Sequence, residues 1–147
     1  MIRYLLGILA YLVPTFALGI VWHLVLFERA YLDLAIYRTD LIIPFGFLSM
    51  LIQAALFAGV YRAAFAGMPG GPTTRIWRYT VFGAALSWSF TTLAVAAKNI
   101  MNSVPDYMMI ETAFTAVQWI MVGPLTALAF GFADRNAPVN RSLGTAG

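Results

Sequence analysis

The chain contains no cysteine, a single histidine and few charges, and each shortage closes off a class of proteins. Without cysteine there is no disulfide, no thiolate metal site, no iron–sulfur cluster and no thiol redox catalysis. The lone histidine, His23, rules out a bis-histidine haem within one chain and any zinc site that needs two imidazoles. Charged residues make up 10% of the sequence, where a soluble domain carries roughly 25%, so a water-facing surface could not be covered. A net charge of +3, spread along the chain, is too small and too dispersed for a nucleic-acid surface. The phosphate-cradling patterns Gly-x-x-x-x-Gly-Lys and Gly-x-Gly-x-x-Gly are absent, and so is the Gly-x-Ser-x-Gly turn of a serine nucleophile. These gaps leave no cofactor, no metal and no catalytic residue to name, and they point away from an enzyme.

What is present is apolar length. Hydrophobic residues reach 61% of 147 positions, enough for one domain. A bilayer core needs about 20 apolar residues per helix. Four stretches meet that length: Leu5 to Phe27, Leu41 to Ala64, Ile76 to Ala97 and Tyr107 to Phe132. The expected fold is all-α, a four-transmembrane-helix bundle over residues 1–132 with a flexible C-terminal tail over 133–147. The first stretch opens like a signal peptide, but its apolar run is too long and no small-x-small cleavage site precedes Glu28, so an uncleaved helix is expected.

The connections differ in kind. Gly67 to Thr74 is rich in proline and glycine and cannot continue a helix, and Thr73 or Thr74 is placed to cap the third. Glu28 to Asp40 mixes Tyr31, Leu32, Leu34, Ile36 and Tyr37 with charges, as a short helix in the membrane interface does. Four spans put both termini and the Pro/Gly loop on one side, with Arg3, Arg62, Arg75, Arg78, Arg135 and Arg141; the other side has only Arg29, Arg38 and Lys98. The positive-inside rule therefore makes both termini cytoplasmic. In span number and loop length the chain resembles the small four-helix proteins of bacterial inner membranes. That resemblance rests on no specific motif and implies a multi-pass inner-membrane location, without an activity.

Polar residues inside apolar helices are the usual mark of function in a membrane bundle. Thr15, Gly19 and His23 follow at intervals of four on the first helix, and Ser49 and Gln53 do so on the second. Ser87, Thr91 and Lys98 lie near one face of the third, and Glu111, Thr115 and Gln118 near one face of the fourth. The simplest packing turns all four seams inward. His23, Lys98 and Glu111 then meet near the outer mouth and, with Gln118 and Gln53, make up the candidate polar site. The structural alternative gives Lys98 to the headgroups, Glu111 to a helix N-terminus and His23 to the interface. Ala55 and Gly59 form a small-x-x-x-small pair suited to close helix packing. The expected role is an accessory or self-associating membrane subunit, whose partners are the lipid bilayer and further copies or another membrane protein. A small-solute or proton permease working as a homo-oligomer comes next, then an outer-leaflet lipid-binding protein or membrane enzyme.

Overall fold

The computed structural model describes residues 1–38 and 40–135, with side chains to residue 131. Among them the chain is helical, without strands, and four helices are long and apolar enough to cross a membrane: Ile2–Leu26, Ile43–Phe65, Pro72–Lys98 and Val104–Gly131. The fourth continues to Arg135. The first three residues of the expected tail therefore prolong that helix, and the rest of it, with Arg141, lies outside the described residues. A short helix, Glu28–Leu34, follows the first long one.

Helix starts follow from proline. Pro44 and Pro72 sit in the first turn of the second and third helices, where the missing N–H costs nothing. The expected threonine cap of the third helix does not form; Gly71 occupies the cap position in an extended conformation. Its loop is instead tied by Arg75, which donates to the carbonyls of Ala66 and Met68 at 2.9 and 2.8 Å. Three helices widen into a π-turn near one end, at Trp22–Leu26, Tyr61–Phe65 and Ser89–Leu93.

The first helix packs against the second and the fourth, and the fourth against the third. The second and third meet mainly near the loop that joins them, where Phe65 packs on Tyr79 and Phe82. In the half that holds Met1 and the 67–71 loop the interior is aromatic: Tyr11, Phe57, Tyr61, Tyr79, Trp119 and Phe130 form one cluster. Trp119 is its centre, fully buried, with ring centroids of Phe57, Tyr79 and Tyr11 at 4.7, 5.6 and 5.9 Å. Glycine makes this possible. A Cβ on Gly83 would lie 2.0 Å from the Trp119 ring, and one on Gly123 would lie 2.0 Å from the Thr80 hydroxyl. The tightest helix approach is thus third on fourth. At the Ala55–Gly59 pair it is Tyr4 that docks, its hydroxyl donating to the Ala55 carbonyl at 2.7 Å.

Candidate functional site

The opposite end of the bundle is built differently. Helix Glu28–Leu34 folds back over it and buries Tyr31 and Leu34 against Trp22 and Tyr107. The segment expected to lie in the interface thus commits one face to the protein interior. It is held there by Asn102, whose amide N–H donates to the Leu34 carbonyl at 3.1 Å and whose side chain donates to the Asp33 carbonyl at 2.7 Å. The helix ends on Ala35 in the left-handed region, with φ 55°. That conformation costs an L-residue about 1–2 kcal/mol, and it turns the chain so that Tyr37 stacks on Tyr31, ring centroids 5.0 Å apart.

Tyr31 is buried because it has an acceptor. Its hydroxyl donates to Glu111 Oε1 at 2.6 Å, across 80 residues of sequence. The same oxygen lies 3.3 Å from His23 Nε2. Glu111 is 4% exposed, about two turns into the fourth helix, and Phe114 packs edge-on against the imidazole at 4.7 Å. His23 stands in the π-turn of the first helix, a distortion that recurs at functional positions.

The imidazole fixes its own proton count. Nδ1 lies 2.9 Å from the Gly19 carbonyl, which can only accept, so Nδ1 carries a hydrogen. A bare Nε2 facing a carboxylate would be repulsive. A proton between Nε2 and Oε1 makes the contact attractive, as imidazolium and carboxylate or as two neutral groups. Both distributions leave the pair with no net charge. Around it the phenols stay protonated. Burial, then the hydrogen bond and charge of Glu111, push the Tyr31 pKa well above its usual range. Burial and the Glu111 charge do the same to Tyr37. A buried ion pair seldom gains a protein much stability over a packed apolar one, so this pair is a candidate for function.

Lys98 does not join it. The lysine is exposed at the last residue of the third helix, and Glu111 has His23 as its ion-pair partner. A long cation at a helix C-terminus is already served by the helix dipole and by water, so nothing draws it inward. Gln118 and Gln53 form a second, deeper group. Gln118 is buried and donates to the Tyr11 hydroxyl and to Thr15 at 3.2 and 3.4 Å. Tyr11 donates to Gln53 Oε1 at 3.1 Å, and Gln53 donates to Ser49 at 3.1 Å. The seams of the first and fourth helices do face inward, whereas Ser49, Thr91 and Lys98 stay exposed. The two outer helices of the packing order have only one neighbour along most of their length.

Three tyrosines complete these groups and escape the sequence reading. Tyr11 precedes Thr15 by four residues and extends the polar seam of the first helix, a signal that was there to be read. Tyr31 and Tyr37 had none, since their partners lie on distant helices.

His23 also looks outward. An open groove of about 290 Å³ runs between the first and second helices, with Phe16, Ile20, Phe47 and Met50 along it and His23 and Tyr37 at its end. Among the described residues no lysine or arginine lines it. Gly46 forms part of its wall and has nothing within 4 Å of where a Cβ would be. Comparison with family models, with known proteins and with solved structures finds no match.

Proposed function

We propose that this is a multi-pass protein of a bacterial inner membrane that binds a neutral lipid in the leaflet opposite its termini. The lipid chain lies in the groove between the first and second helices. Its uncharged head, a hydroxyl or carbonyl, meets His23 and Tyr37. The observation that carries this reading is a sideways-open apolar groove ending on a part-buried pair of no net charge, with no lysine or arginine among the described lining residues. An anionic headgroup would find no counter-charge there, and a phosphate would pay heavily for desolvation. A hydrogen-bonding neutral head is matched by a protonated phenol and by the imidazole edge. The side assignment draws on six basic residues beside the termini against three opposite.

Permeation through one chain is less well supported. The polar groups occupy the outer end and the middle, while the aromatic cluster around Trp119 fills the interior of the other half. A homo-oligomer would have to supply a path between chains.

The test is native mass spectrometry of protein released from membranes in mild detergent, with bound lipid identified. Wild type should retain a neutral lipid, and Gly46→Leu should lose it, because a Cβ at Gly46 has nothing within 4 Å and the rest of the new side chain extends into the groove. Retention of the same lipid by Gly46→Leu, or a charged phospholipid as the species held, refutes the assignment.

A further inference from the structure

The second helix presents another face, opposite the groove, that no described residue covers. Phe45, Ser49, Ile52 and Leu56 follow at intervals of four, three and four, which aligns them on one side of the helix. Phe45, Ile52 and Leu56 expose 69%, 52% and 64% of their surface, and Ser49 is exposed between them. Beside them Gln53 lies near the middle of a 23-residue helix, half-buried. A shallow depression of about 320 Å³ joins Phe45, Leu48, Ser49, Ile52 and Gln53.

This is a seam of the spacing by which one helix packs on another, and it carries hydrogen-bonding groups at mid-membrane depth. Gln53 Nε2 uses one hydrogen on Ser49 and has a second to give, and its Oε1 accepts from Tyr11 with a lone pair to spare. In hydrocarbon such groups are costly unless another helix pairs them. Copies inserted with the same topology place equivalent residues at equal depth. A second copy therefore brings Ser49 and Gln53 to this level by necessity, and carboxamide and hydroxyl each donate and accept, so the pairing is reciprocal about a two-fold axis.

The geometry points to a parallel homodimer in which the second helices of two copies pack along Phe45, Ser49, Ile52 and Leu56, with Ser49 and Gln53 hydrogen-bonded across the interface. This interface is independent of the groove, which lies on the other side of the helix.

The full chain has no cysteine, so each introduced thiol is unique. Ile52→Cys and, as a lipid-facing control, Ile120→Cys (71% exposed in the wild type) are oxidised in native membranes and resolved by mass. The expected result is a covalent dimer for Ile52→Cys and monomer for Ile120→Cys. The pair of changes Ser49→Ala and Gln53→Leu, placed in the Ile52→Cys background, should weaken dimerisation by about tenfold, with folding checked by unchanged helicity. Equal cross-linking at the two positions overturns the proposal. So does a different membrane protein captured at Ile52→Cys in place of a second copy, or a monomer mass in mild detergent together with no cross-link in membranes.

Discussion

Replacing Glu111 by glutamine keeps the shape of the side chain and removes what its geometry needs. In the native site one atom, Oε1, faces both the Tyr31 hydroxyl at 2.6 Å and His23 Nε2 at 3.3 Å. A carboxyl oxygen serves both, because the shared proton makes either arrangement attractive. An amide cannot. With its oxygen at that position it accepts from Tyr31 but opposes the bare Nε2 of a neutral imidazole. With its nitrogen there it donates to Nε2 and to the phenol oxygen, but the Tyr31 hydrogen loses its acceptor. One buried hydrogen-bonding group is left unpaired either way, which costs about 1–3 kcal/mol. Relief from burying an ion pair offsets part of that. Glu111→Leu leaves both Tyr31 and His23 without their partner and should cost more, about 3–5 kcal/mol. Equilibrium unfolding in mixed micelles, run as a double-mutant cycle with Tyr31→Phe, measures the link directly. The Tyr31–Glu111 coupling should come to about 1–2 kcal/mol. Wild-type stability for Glu111→Gln, or strict additivity with Tyr31→Phe, would show that the shared-oxygen account is wrong.

Other expectations follow from the same packing. Gly83→Ala, which improves helix propensity, should nonetheless destabilise by about 1–3 kcal/mol because its Cβ meets the Trp119 ring at 2.0 Å; the same unfolding assay reads it. Ala35→Gly should leave stability equal or raise it by up to about 1 kcal/mol, since φ 55° suits glycine. Tyr31 should not ionise in an alkaline absorbance titration of folded protein, so Tyr31→Phe removes no phenolate from the range around the ordinary value of 10.0. Its folded pKa is raised, so the stability it contributes is full below that value and declines as pH climbs beyond it. Lys98→Gln should change stability by less than about 0.5 kcal/mol, since the lysine is exposed and unpaired with Glu111.

Composition and length by themselves determined that the chain forms four long apolar helices, because a run of more than 20 apolar residues with so few charges can fold in no other economical way. Loop positions followed from proline and glycine. His23 and Glu111 were singled out for the same reason, as polar groups that hydrocarbon rejects. The rotation of each helix was a different matter. In a soluble helix the polar face marks the outside, but here the outward-facing and core-facing sides are both apolar, so the sequence carries little contrast between them. Only the tertiary structure decided that Glu111 turns to His23 and Tyr31 while Lys98 stays outside. It alone chose Gly83 and Gly123 over Ala55 and Gly59 for the closest helix approach, since which small residue matters depends on which large one, Trp119, comes to meet it. And it alone brought Tyr31 over the end of the bundle, because a buried phenol goes where its acceptor is, and that acceptor lies on a helix 80 residues away.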